Sequence, residues 1–286
     1  MIVAEARKTT KGALPVVVGA VLPKPLRHVL EEQEISYVDG RGGLHLVAPG
    51  LLLHVDQKPT NPPRVPVGTI NVIGQTSIRA LQVMLTEPNR EWKLIDLNRE
   101  GAMSLGQAHK LLSLLDREML AKATGEGPYK RRTIPQPGLL LDWLVAQPSS
   151  RKVYEHLECT LYARSVPDLL GKVSRALDGE KIAYAWTGAA AAAILRAGPT
   201  SVPRAALRVD PDCPLPQVLD LLGAEPVDRG ANLVLWRDTG RVGIIGAARS
   251  DDGLILASPI RVYLDLLGER RGEDAAAHFR EVVIGF

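Results

Sequence analysis

The chain has 286 residues, of which 45% are hydrophobic, and a formal net charge of +3 at pH 7. This length and composition suit an ordinary globular protein with two or three compact units, and the small net charge is by itself weak support for a polyanionic partner. The sequence lacks an apolar run of the roughly 18 to 20 residues that a membrane span needs, and its first residues are charged, so we expect a cytoplasmic protein without a membrane partner. The two cysteines, Cys159 and Cys213, lack the spacing of a zinc site, so we expect no metal and no disulfide framework.

Residues 1–67 are predicted to form a small α/β domain. Apolar runs predict two strands and a helix, the latter with Pro25 in its first turn, before a hairpin whose turn contains Gly40, Gly42 and Gly43. The predicted strands are 1–6 and 14–21, the helix is 25–35 and the hairpin lies within 36–55. Residues 56–68 hold four prolines and no apolar periodicity, which is typical of an interdomain linker.

Residues 71–148 are predicted to begin with three short helices, at 76–88, at 91–101 and from Ser104 onward. In the third helix, a spacing of 100° per residue separates an apolar stripe from a face that carries no acid. The apolar stripe consists of Leu105, Ala108, Leu111, Leu112, Leu115 and Met119. The opposite face consists of Gly106, Gln107, Lys110, Ser113 and Arg117.

A hairpin is predicted after the third helix, with a glycine-rich turn at 125–127 and a returning strand that carries the densest basic cluster of the chain, 129–132. Three short helices followed by a basic hairpin are typical of a winged helix-turn-helix, in which the last helix enters the major groove and the hairpin follows the backbone. A helix at 138–148 is expected to close this domain.

This layout predicts double-stranded DNA as the partner. Ser104 caps the third helix, Gln107 and Ser113 are expected to reach base edges, and the cations are expected to pair with phosphates. The predicted contact residues are Ser104, Gln107, Lys110, Ser113, Arg117, Lys122, Lys130, Arg131 and Arg132. Two alternatives remain open, because a charged helix face is often only solvated and small winged helices also bind proteins.

Residues 149–286 alternate short strand-like and helical runs, which predicts an α/β domain with a mainly helical end. The predicted fold is therefore mixed α/β: a truncated α/β N-terminal unit, a central winged helix-turn-helix and a C-terminal α/β domain that resembles a degenerate nucleotidyltransferase.

Three stretches of this last segment carry a family resemblance. They read AWTGAAAAAIL at 185–195, PVDRGANLVLWR at 226–237 and ASPIRVYLDLLGERRGEDAAAHFRE at 257–281. Together they are similar to the C-terminal region of AbiEi-type proteins, the antitoxins of type IV toxin–antitoxin systems, and the likeness extends over 71–286. The resemblance implies a winged-helix repressor that binds inverted operator repeats, with two copies per operator or a homodimer, and that opposes a cognate toxin encoded next to it.

The alternative function is a metal-dependent nucleotidyltransferase. Thr187, Gly188 and Ala189 occupy the place of the phosphate-binding turn, and Asp210 and Asp212 have the spacing of a carboxylate pair for magnesium. The missing serine in the turn, a proline between the two acids and the lack of a third carboxylate argue against catalysis, so no catalytic residue and no cofactor are predicted.

The N-terminal domain resembles a degenerate PD-(D/E)xK nuclease core. Glu5, Ala6 and Arg7 are similar to the remnant of its second strand, but the preceding Asp is missing and an arginine cannot act as a base. A nuclease-related enzyme is therefore kept only as part of the alternative function, beside the nucleotidyltransferase. We expect this domain to act in packing or dimerisation, or in an extra DNA contact through Arg7, Lys8 and Lys11.

Overall fold

The computed structural model describes residues 15–19, 22, 24–39, 43–55, 73–198, 201–269 and 272–286. The described chain has ten α-helices and three β-sheets, which confirms the mixed α/β class. It forms two compact units, Met1–Asn71 and Val72–Phe286.

The first unit is a four-stranded sheet with one helix. Its elements are β1 (Val16–Gly19), α1 (Lys24–Glu32), β2 (Ser36–Asp39), β3 (Leu44–Ala48) and β4 (Leu51–Val55). The strands follow the order β1-β2-β3-β4, with β1 and β2 parallel and the other pairs antiparallel. The predicted hairpin is β2–β3, and β4 is an added strand that turns back at Gly50, whose φ is +78°. The predicted strand 1–6, the turn glycines Gly40 and Gly42 and the linker 56–68 lie outside the described residues.

The second unit begins with three helices, a hairpin and a fourth helix. These are α2 (Gln75–Thr86), α3 (Leu94–Arg99), α4 (Leu105–Arg117), β5 (Lys122–Thr124), β6 (Arg131–Thr133) and α5 (Pro137–Val145). The helix predicted at 91–101 starts only at Leu94, because the backbone of Trp92 pairs with that of Arg132 in β6 through hydrogen bonds of 2.7 and 2.9 Å.

The rest of the second unit contains a seven-stranded mixed sheet. Its elements are β7 (His156–Thr160), α6 (Val166–Gly179), β8 (Tyr184–Thr187), α7 (Gly188–Ile194), β9 (Ala205–Val209), α8 (Leu215–Leu222), β10 (Glu225–Pro226), β11 (Leu233–Arg237), β12 (Ala248–Arg249), β13 (Ile255–Leu256), α9 (Pro259–Leu266) and α10 (Glu273–Phe279). The strand order is β10-β7-β11-β9-β8-β13-β12. Among these, β9 and β11 are parallel, as are β8 and β13, and the other pairs are antiparallel.

The predicted boundary at residue 148 does not separate compact units. Helix α2 packs against α9 of the sheet region, and one hydrophobic core runs through both parts. Buried arginines join them: Arg79 of α2 donates to the carbonyl of Gly240, and Arg261 of α9 donates to the carbonyl of Ser150 at 2.8 Å. The three-helix and hairpin region and the sheet region are therefore parts of one packed body.

Across the described ranges, no helix has both the length and the apolar character that crossing a bilayer requires.

Candidate nucleic-acid interface

Helix α4 begins with a reciprocal cap. The Gln107 backbone N–H donates to Ser104 Oγ at 3.2 Å, and the Ser104 backbone N–H donates to Gln107 Oε1 at 3.0 Å. Such a capping box satisfies two N–H groups that the first helical turn leaves without partners. Ser104 and Gln107 thus fix where α4 starts, and Gln107 keeps its two amide N–H donors for another partner.

The outer face of α4 is exposed. Gln107, Lys110, Ser113 and Arg117 all lie at the surface, as the helical spacing predicts, and His109 lies beside them. The apolar side is buried at Ala108, Leu111, Leu112 and Leu115.

Two members of the predicted apolar stripe are not buried. Leu105 is 49% exposed, because it is the first residue of the helix and projects beyond the packed turns. Met119 is 86% exposed, because α4 ends at Arg117 and the backbone at Met119 turns to a φ of +56°. The helical spacing no longer applies to a residue past the end of the helix.

The hairpin places a second polar surface beside α4. Its turn requires glycine at position 125, where φ is +72° and a Cβ would lie 3.0 Å from the carbonyl oxygen of Tyr129. Lys122 and Arg131 are exposed on the two strands, and Tyr129 near the turn is 78% exposed. Neither Tyr129 nor Leu105 was predicted as a contact residue, because the period of α4 places Leu105 in the core and no period applies to a turn.

The four exposed cations of this surface differ in their ion pairs. Arg131 binds Glu91 at 2.7 Å, with both side chains about half exposed, and Arg117 lies 3.5 Å from its neighbour Glu118. Within the described part of the chain, no acid pairs with Lys110 or Lys122. These two lysines are therefore the cations whose charge is least neutralised by the protein itself.

Arg132 lies in a different environment from the predicted one. Its side chain is only 5% exposed, and its guanidinium binds Asp116 of α4 at 3.0 Å. Arg132 alternates with Arg131 along β6, so it points from the hairpin toward α4. Arg132 therefore joins the hairpin to the helix in this structure, and its predicted phosphate contact stays a prediction that depends on breaking the pair with Asp116.

Lys130 shares the same carboxylate. Its Nζ lies 3.5 Å from Asp116 Oδ2, with the lysine side chain 39% exposed. An exposed pair of this length contributes little to stability, so a phosphate can compete for Lys130 at small cost. Asp116, which helical position alone assigns to no function, thus holds the hairpin against the last turn of α4.

The two acids considered for magnesium face a cation of the protein. Arg241 binds Asp210 at 3.1 Å and Asp212 at 2.6 Å. The Asp212 backbone N–H also donates to Asp210 Oδ1 at 3.0 Å, as in the turns that Asp-Pro-Asp sequences favour. Over the described ranges, no group of three or more His, Cys, Asp or Glu residues has the geometry to hold a metal ion.

The turn considered for phosphate is filled by protein groups. Thr187 Oγ1 donates to Asp265 Oδ2 at 2.5 Å, and the Ala189 backbone N–H donates to Glu269 Oε1 at 3.0 Å. Gly188 has a φ of +57°, which favours glycine, and a Cβ there would lie 1.9 Å from Glu269 Oε1, so another residue would displace this carboxylate. The residues of the predicted turn therefore come together, but around two carboxylates of the chain itself.

A buried charge network surrounds this turn. Arg208 binds Asp265 at 2.7 Å and Asp238 at 3.1 Å, and Arg261 binds Asp265 at 2.6 Å. Burial raises the pKa of Asp265, but Arg208 and Arg261 outweigh it and hold that pKa below its ordinary value. Burial also raises the pKa of Glu269, and there the hydrogen bond from Ala189 does not fully offset it. Shifted carboxyls can mark a catalytic site, but Asp265 is bound by two arginines and by Thr187, which is typical of a structural network.

A cavity of about 540 Å³ opens beside β7 and β10. His156, Glu158 and Asp228 are its titratable residues. Glu158 is bound by Arg204 at 2.6 Å, so its carboxylate is already neutralised. This cavity does not supply a nucleophile with an adjacent base.

The nuclease-like residues Glu5, Ala6 and Arg7, and the cations Lys8 and Lys11, lie outside the described residues. Cys159 and Cys213 are free thiols, and burial raises the pKa of Cys159 to about 11, which makes it a poor nucleophile.

No family model, no curated protein and no solved structure matches this chain.

Proposed function

We propose that the protein is a sequence-specific regulator that binds double-stranded DNA through the outer face of α4 and the β5–β6 hairpin, and that it acts as a transcriptional repressor without chemistry of its own. The observation that carries the proposal is the placement of an exposed, acid-free helix face next to a hairpin with exposed cations. Three short helices followed by a hairpin are the arrangement of winged-helix DNA-binding domains.

The exposed residues divide into two groups by chemistry. Lys110 and Lys122 are exposed cations suited to phosphates, whose neutralisation gives affinity without sequence preference. Gln107 and Ser113 carry hydrogen-bonding groups on the outer face of α4, where base edges would lie. Arg131 and Lys130 join the phosphate group only by exchanging an acid of the protein for a phosphate.

Two exposed side chains found in the structure extend this surface. Leu105 stands at the N-terminal end of α4, the end that meets base edges in winged helices, and an apolar side chain there suits a thymine methyl group. Tyr129 stands at the hairpin turn, where its ring and hydroxyl suit a sugar and a phosphate.

The test is binding to the DNA upstream of the protein's own gene and to a scrambled duplex of equal length, over a salt series. Lys110→Ala and Lys122→Ala should each weaken binding to both duplexes alike and lower the salt slope by about one unit, because one phosphate fewer is neutralised. Lys181→Ala is the matched control, because this lysine is an exposed cation in the sheet region, outside the proposed surface. If neither Lys110→Ala nor Lys122→Ala lowers the salt slope, the proposal is wrong.

A second pair of variants tests base recognition. Gln107→Glu keeps the capping box but loses the amide donors, and Ser113→Ala loses a hydroxyl. Each should cost about 1 to 3 kcal/mol on the preferred duplex and Ser113→Ala much less on the scrambled one. Equal effects of Ser113→Ala on both duplexes would show that α4 does not read bases.

The antitoxin role, the inverted repeat and the cognate toxin rest on the resemblance to AbiEi-type proteins alone. Co-purification of the product of the adjacent gene tests the toxin partner. Nucleotide transfer or DNA cleavage in the presence of magnesium or manganese would instead favour the enzymatic alternative.

A further inference from the structure

The sheet of the first unit has one covered face and one open face. Leu30 of α1 and Tyr37 of β2 form a buried cluster with Leu22, Ile35 and the flanking Val17, and Tyr37 donates to Glu31 of the helix at 2.6 Å. Directly paired residues of neighbouring strands share a face of the sheet, so Val17 and Tyr37 both lie on the face covered by α1. Successive residues of a strand alternate between the two faces, so the sequence neighbours of Val17 and Tyr37 lie on the opposite face.

This other side, which we call the open face, is apolar and exposed. Its outer positions are Val18 (75% exposed), Leu51 (54%), Val16 (43%), Leu53 (43%) and Val55 (41%). The positions between them in β2 and β3 are apolar and partly buried, apart from Ser36, whose hydroxyl accepts the Val47 backbone N–H at 2.9 Å. A sheet of a globular domain buries its apolar face against another layer, and no described element among residues 15–55 supplies one here.

We propose that the open face is a homodimer interface, on which the same face of a second copy packs to form a two-layered β-sandwich. The chemistry of the face favours this occupant. Its described positions carry no charged side chain, so two copies meet without repulsion, and a nucleic acid or a strongly charged protein would find nothing to pair with. Apolar faces of twisted sheets pack on each other about 10 Å apart, which makes this surface complementary to itself.

The size of the open face sets the strength of the dimer. Four strands about 4.8 Å apart and about 16 Å long give a projected area of about 300 Å² per copy. Stable complexes bury about 800 Å² of accessible surface per partner, more than a face of this projected size supplies, so this interface belongs to the weak class. A weak dimer suits a repressor of the proposed kind, since two copies held on neighbouring half-sites would bind cooperatively.

Sedimentation equilibrium of the full chain without DNA tests the proposal, from about 1 to 200 μM, a range that covers weak association. The wild type should pass from monomer to dimer. Leu53→Lys, which places a charge in the open face, should raise the dimer dissociation constant about tenfold or more. Leu52→Lys is the matched control, because Leu52 is 69% exposed on the same strand but faces the α1 side. The Leu52→Lys variant should still form the dimer.

Each other result would overturn the proposal. A wild type that stays monomeric over the whole range would show that a second copy does not cover the face. A dimer that tolerates both Leu53→Lys and Val18→Lys would lie elsewhere on the molecule. Circular dichroism of the variants separates lost association from lost folding. No DNA is present, so failure of the DNA-binding proposal would leave these outcomes unchanged.

Discussion

Asp116, in the last turn of α4, holds two cations of the hairpin at once. The pair with Arg132 is mostly removed from water, whereas the pair with Lys130 is not. Loss of the carboxylate would leave the Arg132 guanidinium without an anion in a place where water reaches it poorly, and such a loss costs far more than that of an exposed pair.

We therefore expect Asp116→Asn to lower the free energy of unfolding of the second unit by about 1 to 3 kcal/mol. Glu91→Gln is the control, since it breaks the half-exposed pair with Arg131 and should cost less than about 1 kcal/mol. Urea denaturation followed by tryptophan fluorescence measures both. Equal losses would mean that Arg132 has another anion to bind.

Glu269 provides a pH-dependent contribution to stability. An unfolded glutamate ionises near pH 4.3, whereas burial raises the pKa of Glu269 in the folded protein. The folded state then binds more protons than the unfolded state, so the stabilisation is present below the unfolded value and is lost as the pH rises through the folded one.

Glu269→Gln should remove this loss, because the amide has no proton to release and keeps an oxygen for the Ala189 N–H. We expect the variant to be at least as stable as the wild type at pH 8, with a smaller fall in unfolding free energy from pH 5 to pH 8. Glu180→Gln, at an exposed residue, is the control. If the unfolding free energies of the wild type and Glu269→Gln depend on pH in the same way, Glu269 is not the source of the fall in stability.

At the scale of an element, the segment from β9 to α8 shows why its two acids do not form a metal site. Arg241 binds both Asp210 and Asp212, so it offsets one of their two negative charges and holds the carboxylate oxygens that would coordinate magnesium. The other requirement, a third carboxylate aimed at the same point, is not met over the described ranges.

We expect Asp210→Ala to leave DNA binding unchanged, and no nucleotide incorporation or DNA cleavage with magnesium or manganese in either form. Because the broken pair is partly exposed, the variant should lose no more than about 1 kcal/mol of stability. Radiolabelled nucleotide transfer and plasmid cleavage are the measurements. Metal-dependent turnover that Asp210→Ala abolishes would establish the enzymatic alternative.

At the scale of the whole molecule, the two units differ greatly in core size. Among the described residues, the buried core of the first unit has four members, whereas the core of the second joins its helices and its seven-stranded sheet. Small cores give little stability, so the first unit should unfold at lower urea concentration than the second.

The tryptophans allow the two transitions to be separated. Trp92, Trp143, Trp186 and Trp236 all belong to the second unit, so tryptophan fluorescence reports on it alone, while far-UV circular dichroism reports on both. We expect a dichroism change that precedes the fluorescence change. Leu30→Ala should abolish the early transition and leave the fluorescence midpoint in place. Coincident transitions that Leu30→Ala shifts together would show that the units unfold as one.

The sequence by itself determined most helices and strands and the polar outer face of α4. These features depend on the spacing of apolar residues, on caps such as Ser104 and on turn glycines, which act within a few residues along the chain. The same local rules located the hairpin after α4. They also predicted that Thr187, Gly188 and Ala189 lie at a strand-to-helix turn.

Only the tertiary structure decided what each polar side chain faces. Arg131 and Arg132 are adjacent and chemically equal in sequence, yet one is exposed and the other is bound by Asp116, since successive residues of a strand point to opposite sides. Asp210 is likewise paired by Arg241, which is 31 residues away along the chain. A side chain's partner depends on distances that folding sets, whereas local periodicity records only which side of its own element it occupies.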